Sequence, residues 1–186
     1  MKKILTREER AQPFLATKKF LVAYFSRSGN TREIAHQIHE SVGGDIFEIV
    51  TLDPYPRGYD DVVKQAKQEL EESYRPKLKT KVANMESYVV VFVGYPNWWG
   101  TIPMPVAAFL SECDFSGKTI IPFCTNEGSR LGRSVTDITM LCPQSTILAG
   151  LAVRGGNVKN AQNEVSEWLQ ELENDRINAV LTAKHD

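Results

Sequence analysis

The sequence predicts an α/β fold, a doubly wound parallel sheet with helices on both faces. Two observations carry this. From residue 20 onward, short apolar runs alternate with segments of helical period, which gives five β-α units in succession. One of those runs, Tyr88 to Val93 (YVVVFV), is β-branched, unbroken and too apolar for a sheet with one wet face. Such a run requires burial on both sides, as a parallel sheet provides.

The elements follow in order. Phe20 to Phe25 (FLVAYF) is the first strand, and Ile34, Ile38 and Val42 recur one turn apart in the first helix, closed by Gly43-Gly44. Asp45 to Val50 alternates as a strand does. Asp53-Pro54 and Tyr55-Pro56 interrupt the chain before a second helix marked by Val62, Val63, Ala66 and Leu70. Within it, the run Glu69-Leu70-Glu71-Glu72 reads as a solvated helix face. Val106, Phe109 and Leu110 mark a helix after Pro103 and Pro105. Lys118 to Cys124 reads as a strand whose regularity Pro122 lowers. Residues 130–141 form a helix, Thr146 to Val153 a last strand, and Val158, Val165, Trp168, Leu169 and Leu172 a final amphipathic stripe.

Composition narrows the class of partner. The chain has 186 residues, 42% apolar and 24% charged, which fits one globular domain and excludes disordered or collagen-like chains. With 22 basic and 23 acidic groups the net charge is −1, so no electrostatic footprint for nucleic acid or a membrane surface exists. Residues 1–19 hold six of the basic and two of the acidic groups, leaving 16 against 21, or −5, for the remainder. This places a basic tail at 1–18 outside the fold, a domain at 19–174 and a C-terminal tail at 175–186. No stretch reaches the roughly 18–20 apolar residues that span a bilayer. Arg7, Glu8, Glu9 and Arg10 interrupt the apolar run a signal peptide would need. Cys113, Cys124 and Cys142 are odd in number, widely spaced and lack any C-x-x-C, so buried thiols in a reducing cytoplasm are expected, with no metal site and no dithiol centre. His36 and His39 on the first helix read as solvent-exposed or partly buried positions, not as catalytic groups or metal ligands.

In an open parallel sheet, ligands bind outside the carboxyl ends of the strands. After the first strand comes Ser26-Arg27-Ser28-Gly29-Asn30-Thr31, which opens the first helix. Unpaired N–H groups and the positive end of the helix dipole make this an anion site, and three hydroxyls around a glycine exceed what a simple helix cap needs. After the third strand comes Gly94-Tyr95-Pro96-Asn97-Trp98-Trp99-Gly100, whose paired tryptophans offer a flat wall to a planar ring or else fold back over the sheet edge. After the fourth comes Thr125-Asn126-Glu127-Gly128-Ser129, a candidate for the far rim. No G-x-G-x-x-G follows a strand, and Gly117-Lys118-Thr119 opens a strand instead of a helix, so dinucleotide and P-loop sites are not indicated. One phosphate site and one aromatic plane favour a mononucleotide with a large flat ring.

On these residues the sequence resembles the flavodoxin family, in its short-chain, flavodoxin-like form with a Tyr-Pro-x-Trp-Trp-Gly loop. The similarity spans residues 19–172 and rests on YFSRSGNT (24–31) and VGYPNWWGTIPMP (93–105), with support from PYPRGYDDVV (54–63), FSGKTIIPFCT (115–125) and LGRSVTDI (131–138). The resemblance implies a five-stranded sheet of order 2-1-3-4-5 and FMN as cofactor. It implies that Ser26, Ser28, Gly29, Asn30 and Thr31 hold the phosphate, with Arg27 in the same cofactor loop, its side chain either facing the phosphate or pointing to water. Pro96, Asn97, Trp98, Trp99 and Gly100 would border the isoalloxazine, and Thr125, Asn126, Glu127, Gly128 and Ser129 close the opposite side. Redox chemistry then belongs to FMN, with no catalytic side chain, and the surroundings disfavour an anionic reduced flavin. The fourth-strand loop departs from the family's usual His-Gly-Gly-Ser-Gly, reading Asn126-Glu127-Gly128-Ser129-Arg130. A domain net charge of −5 is also weak for a carrier docked by charge. Two functions therefore stand: a low-potential electron carrier between a reductase and an acceptor protein, monomeric or weakly dimeric, and an FMN-dependent NAD(P)H quinone- or nitro-reductase.

Overall fold

This computed structural model describes residues 19–182, with side chains through Asn174; the tail expected at 1–18 lies outside the described residues. Strand β1 (Phe20–Tyr24) leads to helix α1 (Asn30–Val42), β2 (Asp45–Glu48) to α2 (Tyr59–Glu72), and β3 (Val90–Pro96) to α3 (Met104–Glu112). Strand β4 (Thr119–Asn126) leads to α4 (Ser134–Leu141), and two short strands, β5 (Thr146–Ile147) and β6 (Leu151–Arg154), precede α5 (Gln162–Thr182). Helix α5 runs on past the tail boundary placed at residue 174.

All strand pairs are parallel, and the order is β2-β1-β3-β4-β5, with β6 also on β4. The alternation of side chains assigns the two faces. Phe20, Val22 and Tyr24 join Ile34 and Ile38 of α1 and Val165, Trp168 and Leu172 of α5. Leu21 and Ala23 join Val106, Phe109 and Leu110 of α3 and Ile138 of α4 on the other face. Burial on both sides is why β3 carries no alternation of polarity.

The fifth sheet position differs from the expected single strand, Thr146 to Val153. Thr146 N–H donates to the Lys118 carbonyl at 2.9 Å and Leu148 N–H to Ile120 at 3.0 Å. The next donor on β4 would be the N–H of residue 122, which proline lacks. Pairing stops there and resumes at Phe123 with Leu151, four residues on from Ile147 while β4 advances three. Gly150 lies in the break, where a Cβ would sit 2.9 Å from the Pro122 carbonyl oxygen.

The chain order places the ends of β1, β3 and β4 side by side at one edge. Their loops carry all three segments expected to bind ligand. The order reverses between β1 and β3, which is where open α/β sheets leave a crevice.

Candidate functional site

The β1–α1 loop is built by Ser26. Its Oγ accepts from the N–H groups of Gly29 and Arg32, each at 3.2 Å, and folds the turn back on the helix start. Gly29 adopts φ 96°, a left-handed conformation open to glycine. The N–H groups of Ser28, Asn30 and Thr31 are left without a partner among the described residues. They stand at the positive end of α1, a ready anion site. Arg27 points out of this turn: its guanidinium donates to the Arg57 carbonyl at 2.8 Å and ties the loop to the segment before α2.

The β3–α3 loop is a tight turn. Trp98 and Thr101 exchange two backbone hydrogen bonds of 3.1 Å, with Trp99 at φ 53° and Gly100 at φ 79°. Two positive φ angles define a type I′ turn, in which tryptophan at the first central position is strained. Neighbours hold that strain. Arg133 N–H donates to the Gly100 carbonyl at 2.9 Å, and Thr101 Oγ1 donates to Asp137 of α4. Gly132 approaches so closely that a Cβ there would lie 2.2 Å from the Gly100 oxygen.

The two tryptophans part company. Trp98 turns inward, edge-on to Phe25 at 5.4 Å and Tyr55 at 5.2 Å, so it is partly a core residue. Trp99 is 50% exposed, donates from Nε1 to the Val63 carbonyl at 3.1 Å, and has Lys67 Nζ 5.4 Å from its ring centroid. Arg27, Tyr59, Val62, Val63, Ala66, Asn97 and both tryptophans line a cavity of about 270 Å³.

The β4–α4 loop is shaped by Asn126, which is buried. Its Oδ1 accepts from Gly128 at 2.8 Å and Arg130 at 3.0 Å, while Nδ2 donates to the Val153 carbonyl at 3.1 Å. Asn126 thus braces the rim from beneath. Glu127, Gly128 and Ser129 are exposed, and Glu127 leans over Gly155, where a Cβ would meet its carboxylate at 2.3 Å and the Asn30 amide at 2.8 Å. The three loops are joined to one another. Thr31 Oγ1 meets Thr125 Oγ1 at 2.8 Å, Asn97 N–H donates to the Thr125 carbonyl at 2.8 Å, and Asn97 Nδ2 donates to the Arg130 carbonyl at 2.6 Å.

The expected residues therefore converge on one edge, with Pro96 at the end of β3 beside them. Sequence reasoning missed four contributors: Tyr55, Tyr59, Gly132 and Gly155. It also misplaced Glu69, expected on a solvated face. Glu69 is 6% exposed, because its carboxylate accepts from Tyr55 OH and, at 2.9 Å, from Gln65 Nε2. Its place was concealed because the aromatic partner lies outside the helix.

Fold and site define a doubly wound α/β protein with a turn of unpartnered N–H groups and an aromatic turn at the switch point of its sheet. The chain belongs to the flavodoxin family, whose profile matches residues 19–172. A structure from Bacteroides uniformis ATCC 8492, described as that of a flavoprotein, is 29% identical over 82% of this chain and 98% of its own, with a TM-score of 0.74. One from Bacteroides eggerthii DSM 20697, described in the same way, is 30% identical over 81% and 99%, with a TM-score of 0.68. The flavoprotein of Lactobacillus acidophilus NCFM in complex with FMN shares the fold at 18% identity, over 77% and 98%, with a TM-score of 0.63. A search of curated proteins finds no match. Among the described residues, no helix is long and apolar enough to cross a membrane.

Proposed function

We propose that this protein binds FMN at the carboxyl edge of its sheet and carries electrons between a reductase and an acceptor protein in the cytoplasm, as a monomer or weak dimer. One observation carries the reading. The unpartnered N–H groups of Ser28, Asn30 and Thr31 and the Trp98–Trp99 turn are locked into one site through Thr125. The residues fit the cofactor: the N–H groups suit a phosphate, and the half-exposed Trp99 suits a flat ring. Asn97 Oδ1 is a buried acceptor without a partner among the described residues, and the imide N–H of an isoalloxazine is a donor of the required kind. When bound, FMN supplies one- and two-electron chemistry. The chain's own residues bind and orient it: Ser26 shapes the phosphate turn, Asn126 braces the rim, and the Trp98–Thr101 turn sets the wall.

The visible spectrum of the purified protein tests this, followed by FMN titration. Flavin bands with saturable, equimolar uptake are expected, and a protein that stays colourless after FMN addition refutes the reading.

The cavity between Arg27, Tyr59 and Trp99 favours a second reading, a reductase that takes hydride from NAD(P)H and reduces a small aromatic substrate there. A steady-state assay with NADH or NADPH and a quinone separates the two. Rapid turnover without an added reductase selects the enzyme; slow turnover that a reductase accelerates selects the carrier.

A further inference from the structure

Behind the Trp98 turn lies a buried carboxylate, Glu69, the one Asp or Glu buried among the described residues. Both of its oxygens accept hydrogen bonds, one from Tyr55 OH and one from Gln65 Nε2. Two donors suit an ionised, acceptor-only carboxylate. Burying that charge costs free energy that the hydrogen bonds offset. The Tyr55 ring stands 5.2 Å from the Trp98 ring at 76°, and Phe25 packs against both, at 5.8 and 5.4 Å. Burial, reinforced by the Glu69 carboxylate, holds the Tyr55 phenol protonated far above its ordinary range, so it does not ionise alone. Neither holding a phosphate nor walling a ring requires this arrangement.

We propose that Trp98, Tyr55 and Glu69 form a one-electron donor chain behind the flavin loop. The inference rests on the FMN reading, which provides a natural oxidant, the light-excited flavin. Trp98 loses one electron from its indole to that oxidant. Tyr55 returns one electron to Trp98 as its O–H bond breaks, and the proton passes to Glu69 Oε2 along the existing hydrogen bond. The products are a neutral phenoxyl radical, a neutral carboxylic acid and a restored indole, with the oxidant reduced by one electron. The net step removes a negative charge from a buried site, which low dielectric favours. The electron crosses two rings in contact and the proton one hydrogen bond, so no side chain has to move.

Pulse radiolysis with azide radicals, which oxidise indoles ahead of phenols, tests the chain in the protein without added flavin. The oxidised indole should decay at a rate independent of protein concentration while phenoxyl absorption grows. Tyr55→Phe and Trp98→Phe should each lose that growth. Glu69→Gln, which cannot take up the proton, should slow it, and D₂O should slow it in the unaltered protein. After FMN addition, blue light should produce the same phenoxyl in the unaltered protein and none in Tyr55→Phe. Growth that is unchanged in Tyr55→Phe, or that ignores D₂O, overturns the proposal and leaves Tyr55 and Glu69 as a packing pair. A protein that passes the azide arm yet takes up no FMN refutes the flavin reading and leaves the donor chain standing.

Discussion

Thr31 and Thr125 touch through their hydroxyls at 2.8 Å in the buried interior, although 94 residues separate them in the chain. This contact fastens the start of α1 to the carboxyl end of β4 and fixes the distance between the β1–α1 turn and the β4–α4 loop. Replacing Thr31 by Val leaves the Thr125 hydroxyl buried without that partner, a cost of about 1–3 kcal/mol. The Thr31→Val/Thr125→Val double variant should lose less than the sum of the singles, because both polar groups are then gone. Urea unfolding of the three variants measures this, and additive losses would show that the contact contributes nothing.

Gly29→Ala isolates backbone conformation from packing. A Cβ at Gly29 meets nothing within 4 Å, so the cost comes from φ 96° alone, about 1–2 kcal/mol. The same change disturbs the N–H groups proposed to hold the FMN phosphate. Affinity for FMN should therefore fall while affinity for phosphate-free riboflavin holds. Parallel titrations of the two flavins decide the matter, and an equal fall for both places the phosphate elsewhere.

The paired tryptophans should respond in opposite ways. Trp98→Ala removes two edge contacts from the core cluster and should cost about 3–5 kcal/mol of folding stability. Trp99→Gly removes a half-exposed ring and relieves a left-handed tryptophan, so stability should stay within ~1 kcal/mol. FMN affinity should nonetheless fall by about 0.5–1.5 kcal/mol through the lost stacking face. Denaturation together with flavin titration checks both, and unaltered affinity in Trp99→Gly puts the ring against another wall.

Alkaline pH should loosen the fold. Burial lifts the Cys124 thiol from 9.0 to about 12 and the Cys142 thiol to about 11. The folded chain keeps these protons at pH values where the unfolded chain has lost them, so their stabilising contribution is complete below the unfolded value. It declines as pH rises through the folded values. Burial and the hydrogen bond to Asp45 raise the Tyr88 phenol to about 12, which adds to the decline above its ordinary 10.0. Urea midpoints should drop across this window, and the Cys124→Ala/Cys142→Ala variant should flatten the drop without abolishing it. A constant midpoint would contradict the assignment.

The sequence disclosed most of what local pattern and turn chemistry control. β1 and β3 were legible because continuous apolar runs fit only a sheet buried on both faces. The Ser26–Thr31 turn was legible because glycine and hydroxyl residues at a helix start carry a direct chemical meaning. Contacts between distant segments were not. Nothing local marks Thr31 as the partner of Thr125, or shows that Gly132 must lack a Cβ to pass the Gly100 carbonyl. Glu69 sits within an acidic run, and only Tyr55, brought in from the preceding loop, distinguishes it from Glu71 and Glu72, which are exposed. Pro122 was recognised as a cost, but the consequence fell on another strand, across the ladder.

That consequence bears on how copies of the chain meet in a crowded solution. An open sheet ends in two rows of unsatisfied backbone groups, each a template for a neighbour's strand. Here one margin is β2, four residues long, and the other is split into pieces of two and four residues by the missing donor of Pro122. Neither margin offers a run long enough for an incoming strand to lengthen, so the proline that weakens the sheet from within also guards it against growing from outside.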